Sequence, residues 1–392
     1  MILTDEIKEF IRLHREEDVR KLALQKSQLS SDMHTFALQQ IAGWQVAQKK
    51  VPSWSVVDGI LYPPHLSLEQ CSSELTAQYK ASLISPSNTF VDLTGGMGVD
   101  FSFMARNFQQ AIYVEQNEHL CQLAQHNFPL LHLNARVENG LSTTVLSQLP
   151  PVDVIYMDPA RRDEKGRKVV SIADCSPNLL EMKELLLEKA PSVWIKYSPM
   201  LDITLALKEL SSVADLHIVS VHNECKELLF HLTRENHAPL RVVCVNLKKE
   251  RMERFEYEWE EEQESGLLLA DQVKCYLYEP YASVMKAGAF KILTQRFDVR
   301  KLGVSSHLYT SDSLIEDFPG RRFKVDSCFT MNKQQLKEYL SDCRQANVAV
   351  RNFPMSAEQL KSKLKLKDGG DVYLFATTFK DQKVILKTKV VS

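Results

Sequence analysis

Three acidic residues, each at the end of an apolar run, are the first residues of this chain that could do chemistry. Asp92 follows a run that begins at Thr89. Glu115 ends the next apolar run, and Asp158 directly follows Val154–Met157. Apolar runs of this length are typical of buried parallel strands. Because the carboxyl ends of parallel strands meet at one edge of a sheet, we expect these carboxylates to line one ligand crevice.

A glycine-rich turn follows the first of these carboxylates. It contains Gly95, Gly96 and Gly98. Residues without a Cβ let the backbone turn tightly and approach a ligand closely. A strand, a glycine turn, a helix and a second strand ending in Glu115 form the outline of a βαβ nucleotide-binding unit. The Glu115 carboxylate can accept both hydroxyl hydrogens of a ribose there.

The neighbouring polar residues predict S-adenosylmethionine as the cofactor. Asp92 and Thr94 can hydrogen-bond the ammonium of its methionine portion, and a carboxylate at 92 also favours the cationic sulfonium. Gln116, which directly follows Glu115, is assigned to the same cofactor site. A third predicted strand ends near Glu138 and Asn139, either of which is a predicted contact for the adenine.

A dinucleotide-dependent dehydrogenase is the alternative for such a turn. Its fingerprint needs a further glycine three residues after the second. Here Phe101 occupies that position, where its ring would crowd the helix against the strand. An Asp-Pro sequence at 158–159 also has no role in hydride transfer, so methyl transfer is the preferred interpretation.

The loop after the fourth predicted strand is expected to present the acceptor atom. It contains Asp158, Pro159 and Arg161, which we predict to be catalytic, and Asp158 is also assigned to the cofactor site. Amino-directed enzymes usually have an aromatic residue in this loop to stack on the base. None is present, so we expect the Arg161 guanidinium to stack instead.

A nitrogen is the preferred acceptor, with a carbon-5 reaction as the alternative. The alternative needs a cysteine nucleophile, and Cys175 is the nearest cysteine that follows Asp158. A lone cysteine before a predicted helix is more commonly structural. Arg161, Arg162 and Lys196 are expected at the rim of the crevice, where they could hold phosphate.

Periodicity divides the chain into four predicted domains. Residues 1–85 form a helical domain, and residues 86–265 form a Rossmann-like α/β domain whose limit is an acidic tract at 256–264, predicted to be a solvated edge. A smaller module at 275–320 precedes a segment at 321–392 with alternating strands and helices. In this segment Ser356 and Gln359 have the spacing of a capping box.

Composition restricts the class of protein. The 392 residues are 44% hydrophobic and 25% charged, as in a soluble globular protein of two or three domains. No apolar run is long enough to span a bilayer, and the first residues lack an apolar signal core. The 8 cysteines are scattered without a Cys-x-x-Cys pair, which favours reduced thiols in the cytoplasm and no metal cluster.

Charge is distributed unevenly. Residues 281–392 contain 20 Lys and Arg against 11 Asp and Glu, whereas the whole chain has a net charge of −2. A basic segment in an otherwise acidic chain is expected where that segment binds a polyanion. The alternative is a solvated lysine-rich surface. Charge therefore leaves a nucleic acid and a solvated surface open as explanations of this basic third. No oligomeric state follows from the sequence.

The motifs together resemble one family. The segments VDLTGGMGVD, YVEQ, DPARRD and KYSP, with NFPMSAEQLKSKLKLKDGGDVYLFA near the end, are similar to those of bacterial class I S-adenosylmethionine-dependent methyltransferases with a carboxyl-terminal THUMP-like domain. The resemblance implies a Rossmann-like catalytic sheet, a ferredoxin-like insert at 275–320 and a THUMP-like domain at 321–392. It also implies RNA as the substrate, because THUMP modules of related enzymes bind RNA.

Two further functions remain open at this point. The first is a methyltransferase for a small molecule or a protein, in which the basic third would be a lid or a dimer contact. The second is a non-catalytic RNA-binding protein whose Rossmann domain has lost its activity. Cofactor affinity separates the second from the enzymes, and salt-dependent RNA binding separates the RNA enzyme from the first.

Overall fold

The computed structural model describes residues 3–161, 171–210, 212–235 and 238–391. The side chains of residues 65–67, 161 and 174 also lie outside the description. The chain divides into two compact units. The first consists of residues 1–216 and 227–238, and the second of residues 217–226 and 239–392.

The first unit begins with helices, as predicted for residues 1–85. They are α1 Asp5–His14, α2 Val19–Leu22, α3 Ser31–Lys50, α4 Pro52–Ser55, α5 His65–Gln70 and α6 Glu74–Ser82. α1 and α2 are separate helices, because the Asp18 side chain accepts hydrogen bonds from Arg20 N and Lys21 N and starts a new helix. Ile7 and Ile41 are fully buried, so the apolar faces of α1 and α3 form core.

A mainly parallel sheet follows these helices. Its elements are β1 Ser87–Asp92, α7 Val99–Met104, β2 Phe108–Glu115, α8 Glu118–Leu130, β3 Ala135–Asn139, α9 Ser142–Gln148, β4 Val154–Met157, β5 Ala160–Arg161, β6 Cys175–Ser176, α10 Leu179–Lys189, β7 Ser192–Tyr197, α11 Ile203–Glu209, β8 Val213–Val221 and β9 Glu224–Thr233. The parallel strands run in the order β3-β2-β1-β4-β7, and β9 pairs antiparallel with β7. This order confirms the predicted Rossmann-like α/β class.

The register of the sheet places the predicted site at one edge. Asp92 is opposite Tyr113 and Tyr156, Glu115 is opposite Asn139, and Met157 is opposite Ile195. The last residues of all five parallel strands therefore end at similar heights. The crevice above them is where open α/β sheets bind ligands.

The second unit contains a hairpin and a separate sheet. Its elements are β10 Arg241–Leu247, β11 Met252–Glu258, α12 Trp259–Glu264, β12 Tyr276–Pro280, α13 Ala282–Ala287, α14 Ile292–Arg296, β13 Arg300–Lys301, β14 Tyr309–Ser311, β15 Gly320–Thr330, α15 Lys333–Leu340, β16 Asn347–Arg351, α16 Ala357–Leu364, β17 Val372–Phe379 and β18 Gln382–Val390. β10 and β11 pair antiparallel, and a seven-stranded sheet has the order β13-β14-β12-β15-β18-β17-β16.

The acidic tract at 256–264 is less solvated than predicted. Glu262 is buried, and its carboxylate accepts hydrogen bonds from Lys291 N at 3.0 Å and Ile292 N at 2.8 Å. The carboxylate thus satisfies backbone donors at the start of α14. Glu262 is a structural residue of the second unit, whereas Glu256 and Glu260 are exposed as predicted.

The two predicted C-terminal modules share one sheet. β12 pairs with β15 through Leu277 opposite Phe323, and both residues belong to one buried apolar cluster. A second cluster, which includes Phe329 and Leu360, lies beneath α15 and α16. Truncation at residue 320 would therefore remove part of the core on which β12 packs.

A buried carboxylate also links these modules. The Glu279 side chain on β12 is only 4% exposed, and the guanidinium groups of Arg321 and Arg351 bind its two oxygens, with Arg351 Nη2 at 2.5 Å from Oε1. The Arg321 guanidinium also lies over the Phe323 and Tyr373 rings, at 5.3 and 5.6 Å from their centroids. We call Glu279 and its two arginines the Glu279 clamp.

Candidate cofactor and acceptor site

The glycine turn after β1 has its shape for two different reasons. A Cβ at Gly95 would lie 2.1 Å from the Tyr113 ring. A glycine is therefore needed at 95 because the backbone passes close to Tyr113. Gly96 and Gly98 have φ of +55° and +82°, which residues with side chains rarely adopt. An added Cβ at Gly96 would meet no atom closer than 3.8 Å, so the turn is open on that side.

Glu115 connects the turn to the end of β2. Its carboxylate accepts hydrogen bonds from Gly96 N at 2.9 Å and Asn117 N at 2.8 Å. Asn139 donates to the backbone oxygens of Glu115 and Gln116, at 3.0 and 3.2 Å. A carboxylate has about four acceptor sites, so Glu115 retains capacity for a further pair of hydroxyl donors.

Asp92 is a buried acid in this site. It is 1% exposed, and its Oδ1 accepts a hydrogen bond from Thr94 N at 2.9 Å. Burial raises the pKa of Asp92 well above its ordinary value, and the nearby carboxylates of Asp100, Asp158 and Glu115 raise it further. The described part of the chain provides Asp92 with no ion pair. A cationic ligand is therefore favoured beside it.

Thr94 connects two strand ends through its hydroxyl. Its Oγ1 accepts a hydrogen bond from Asp158 N at 2.6 Å. The loop after β4 is thereby fixed against the loop after β1. The structure thus brings together the predicted residues Asp92, Thr94 and Asp158 at one edge of the sheet.

Asp158 forms an ion pair below the crevice. Its Oδ2 lies 2.5 Å from Lys196 Nζ, at the end of the neighbouring strand β7. The Asp158 side chain is 37% exposed and the Lys196 side chain 12%. The prediction placed Lys196 at the rim as a phosphate ligand. In the structure its ammonium lies below the surface and is committed to carboxylates.

A larger set of buried charges continues from this pair. Lys80 Nζ, 2% exposed, lies 2.9 Å from Asp100 Oδ1 and 2.9 Å from Glu227 Oε2. The Ser72 hydroxyl donates to Asp100 Oδ2 at 2.8 Å and lies 2.9 Å from Lys80 Nζ. Lys196 Nζ is 3.6 Å from Asp100 Oδ2. We call Lys80, Asp100, Asp158, Lys196 and Glu227 the strand-end cluster.

The charges of this cluster determine its protonation. Burial opposes ionisation of Asp100, but the ammonium groups of Lys80 and Lys196 outweigh it and hold the pKa of Asp100 well below its usual range. Burial also opposes ionisation of Lys196, yet Asp158, Asp100 and Glu227 raise the pKa of Lys196 above its ordinary value. Both groups are therefore charged near neutral pH.

The acceptor loop is only partly described. Pro159 directly follows Asp158, and β5 pairs antiparallel with β6 so that Arg161 is opposite Cys175. The Arg161 side chain and the whole of Arg162 lie outside the described residues, so their predicted roles stay predictions. Cys175 is buried beside this loop, with Sγ 3.9 Å from Ser171 O.

Most residues of the strand-end cluster, namely Lys80, Asp100 and Glu227, have no role predicted from the sequence. Lys80 and Glu227 are 147 residues apart and meet only through the fold. Asp100 had a local signal, since a charged residue in the first turn of α7 directly after the glycine turn is unusual for a helix that is almost entirely buried. The described ranges contain no group of His, Cys, Asp and Glu that could hold a metal ion.

The residue that argued against a dehydrogenase lies in an aromatic cluster. Phe101 is fully buried, with ring centroids of Phe90, Tyr113 and Phe128 at 5.8, 5.5 and 4.9 Å. Rings therefore fill the space between α7 and the strands. A dinucleotide fold has close helix–strand contact through a glycine at this place.

The strand order and the edge site define a class I methyltransferase fold. A protein from Porphyromonas gingivalis W83, described as a presumed methyltransferase, has a crystal structure that matches the whole chain over its own full length, with 34% identity and a TM-score of 0.90. Residues 276–319 match a family described as a ferredoxin-like domain, and residues 320–389 match one described as THUMP domain-like. A search among curated proteins found no match.

The chain therefore belongs to the family of bacterial class I methyltransferases with ferredoxin-like and carboxyl-terminal THUMP-like domains. More distant structures include a presumed class I S-adenosylmethionine-dependent methyltransferase from Listeria monocytogenes, 12% identical over 62% of this chain and 92% of its own, with a TM-score of 0.37. Likeness at that level carries no argument about substrate. In the described part of the chain, no helix has the length and apolarity to cross a membrane.

Proposed function

We propose that this protein transfers a methyl group from S-adenosylmethionine to a base nitrogen of RNA. The observation that carries the proposal is a partly exposed carboxylate, Asp158, fixed at the end of β4 beside an open glycine turn. When bound, S-adenosylmethionine would supply an electrophilic methyl group at this edge. The residues of the chain would bind it, orient the acceptor and accept a hydrogen from the acceptor nitrogen.

The residues present fit the cofactor. Glu115 has unused acceptor capacity for ribose hydroxyls, and Gly96 leaves room for a ligand next to it. Asp92 would stabilise the positive charge of the ammonium and the sulfonium. Gly95, Gly98, Thr94, Gln116 and Asn139 are assigned to the same site, the first two through the shape of the turn.

Calorimetry with S-adenosylhomocysteine tests the cofactor assignment directly. We expect wild-type protein to bind it and Glu115→Ala to bind on the order of 10-fold or more weakly, because charge-assisted hydrogen bonds are lost. Glu118→Ala is a matched control, since Glu118 follows three residues after Glu115 but is the first residue of α8. Absence of binding by the wild-type protein would leave a non-catalytic RNA-binding protein as the better interpretation.

The acceptor role of the loop follows from hydrogen-bond chemistry. The Asp158 carboxylate and the Pro159 carbonyl can each accept an N–H from an exocyclic amine. Arg161 is proposed to stack on the base. Because a methylated aromatic amine readily loses its extra proton, the ion-paired carboxylate of Asp158 is a sufficient acceptor for it.

RNA is proposed as the substrate on the strength of the second unit. It contains a THUMP domain-like segment and an excess of basic residues. Lys363, Lys365 and Lys367 are exposed around the end of α16 and provide a surface for phosphates. A lysine-rich helix end is also favoured by the helix dipole alone, so the role needs a direct test.

Substitution of these lysines tests RNA binding without truncating the shared sheet. We expect the Lys363→Gln, Lys365→Gln, Lys367→Gln triple variant to bind bulk RNA more weakly and to lower the salt dependence by up to about one unit of slope per lost phosphate contact. A control triple variant with glutamine at Lys21, Lys26 and Lys49, exposed lysines of the first unit, changes net charge equally. Equal losses in both would contradict a local RNA surface.

One experiment identifies the acceptor. Bulk RNA, protein and small-molecule fractions from a strain lacking the gene are incubated with the enzyme and methyl-labelled S-adenosylmethionine, and labelled nucleosides are identified by mass spectrometry. We expect label in RNA on a base nitrogen. Label on carbon 5 of uridine would favour the Cys175 alternative, and label in another fraction would reject RNA.

We also propose that the chain consists of four domains, with the bounds 1–85, 86–265, 275–320 and 321–392.

A further inference from the structure

Lys196 is largely but not fully buried, and it contacts Asp158, the partly exposed carboxylate of the strand-end cluster. Its Nζ lies 2.5 Å from Asp158 Oδ2, 3.2 Å from Ser72 Oγ and 3.6 Å from Asp100 Oδ2. The shortest contact is thus to the carboxylate that faces the crevice. The other buried ammonium of the cluster, that of Lys80, contacts Asp100 and Glu227 instead.

The pair restricts how Asp158 can be used. The Asp158 backbone N–H donates to Thr94 Oγ1 at 2.6 Å, which fixes the start of the loop. Lys196 then fixes Oδ2 of the side chain. With the backbone and one oxygen both held, the orientation of the carboxylate is fixed. Among the described residues Oδ1 has no partner, which leaves this oxygen for a substrate.

We propose that Lys196 is a positioning residue that holds one oxygen of Asp158, so that the other oxygen is presented to the acceptor nitrogen. The inference rests on the proposed function, since it assigns Lys196 a role in the same methyl transfer. It also explains why the lysine at the end of β7 lies below the surface. A lysine that binds phosphate would be expected at the rim.

The charged neighbours of Lys196 come from several elements. α6 contributes Lys80, α7 contributes Asp100, β9 contributes Glu227, and Asp158 follows β4. Carboxylates therefore outnumber ammonium groups among these residues. An ammonium with such neighbours stays charged over the pH range of an assay, so its effect on Asp158 is constant there.

Steady-state kinetics with methyl-labelled S-adenosylmethionine and bulk RNA from the deletion strain test the proposal. For Lys196→Met we expect kcat to fall about 10- to 100-fold, as for loss of a hydrogen bond to a charged group. The KM for RNA and the affinity for S-adenosylhomocysteine should change less than about 3-fold, because neither ligand is held by Lys196. Lys196→Arg keeps the charge but presents a planar fork that can bind both Asp158 oxygens, so kcat should recover only in part.

A matched control separates positioning from general disturbance of the cluster. Ser72→Ala removes a hydroxyl that contacts both lysines of the cluster and leaves the Lys196–Asp158 pair in place. We expect its kcat to stay within about 2-fold of the wild type. Equal losses in Ser72→Ala and Lys196→Met, or an unchanged kcat in a folded Lys196→Met variant, would each overturn the inference.

The two proposals fail in different ways. Wild-type enzyme that transfers label to protein or small molecules contradicts the RNA assignment, and the same variants are then compared on that acceptor. Wild-type enzyme that labels none of the three fractions contradicts both. Active wild-type enzyme with an equally active Lys196→Met variant contradicts only the role of Lys196.

Discussion

Both units of this protein contain carboxylates paired with cations below the surface. Carboxylates are in excess in the first unit, and cations are in excess in the second. In the strand-end cluster three carboxylates share two lysines, and one of the acids, Asp158, is exposed at the crevice. In the Glu279 clamp one carboxylate is bound by two arginines. Both oxygens of Glu279 are bound by guanidinium groups, whereas Asp158 Oδ1 has no partner among the described residues.

The choice of cation agrees with this difference. Arginine presents a planar fork that fits a carboxylate and can stack on rings, as Arg321 does over Phe323. Lysine is a point charge that binds one oxygen of a carboxylate and leaves the other oxygen open to a ligand. Buried charge alone is therefore a poor indicator of a functional site. An excess of carboxylate at the end of a strand is the better one.

The largest effect that would sharpen this comparison is expected at Asp158. Asp158→Ala should lower methyl transfer on the order of 10²- to 10⁴-fold, because the acceptor loses its hydrogen-bonding partner. Affinity for S-adenosylhomocysteine, measured by calorimetry, should change less than about 3-fold. Full transfer activity in this variant would contradict the catalytic assignment of the exposed acid.

The next effect is on stability, at the deepest cation of the cluster. Lys80→Met leaves Asp100 and Glu227 buried without their nearest ammonium and should lower the free energy of unfolding by about 3–5 kcal/mol in urea titrations. Lys8→Met, on the exposed face of α1, should change it by less than about 0.5 kcal/mol. A small loss at Lys80 would mean that water or a local shift replaces the ion pairs.

A smaller effect is expected in the Glu279 clamp. Glu279→Gln keeps the shape but removes the charge that both arginines bind. Because Arg321 and Arg351 are each more than a third exposed, we expect a loss of only about 1–2 kcal/mol, at the low end for charged hydrogen bonds. Methyl transfer at saturating RNA should be unchanged. A loss of transfer equal to that of Lys196→Met would break the distinction between the two regions.

The smallest effect is a pH dependence at Asp92. Burial raises the pKa of Asp92, so in the free protein its carboxyl group stays protonated at pH values where an ordinary aspartate is ionised. A bound cation favours the ionised form, so affinity for S-adenosylmethionine should fall as pH decreases through the raised pKa, by at most about tenfold per pH unit. Asp92→Asn should flatten the profile, and an unchanged slope in that variant would assign the effect to another group.

Much of the fold could be predicted from local patterns. Apolar runs that end in Asp92, Glu115 and Asp158 gave the parallel strands, and the capping box at Ser356 and Gln359 is present at the start of α16. These features depend on residues that are close in sequence, where spacing and side-chain type determine the local conformation.

The remaining features depend on contacts between distant residues. Tyr113 makes Gly95 necessary, and Ser72 contacts Lys196 across 124 positions. The pairing of β12 with β15 in one sheet also could not be predicted. Strand periodicity shows which face of a strand is buried but not which strand lies beside it. For the same reason Lys196 was expected at the rim and lies below it.

The position of β18 has a consequence for the synthesis of this protein. β18 lies between β15 and β17, yet it is translated after every other strand of its sheet. Until it leaves the ribosome, β15 and β17 each have an unpaired edge and much of the surrounding apolar surface is uncovered. The nascent second unit should therefore need protection from aggregation until β18 has been synthesised.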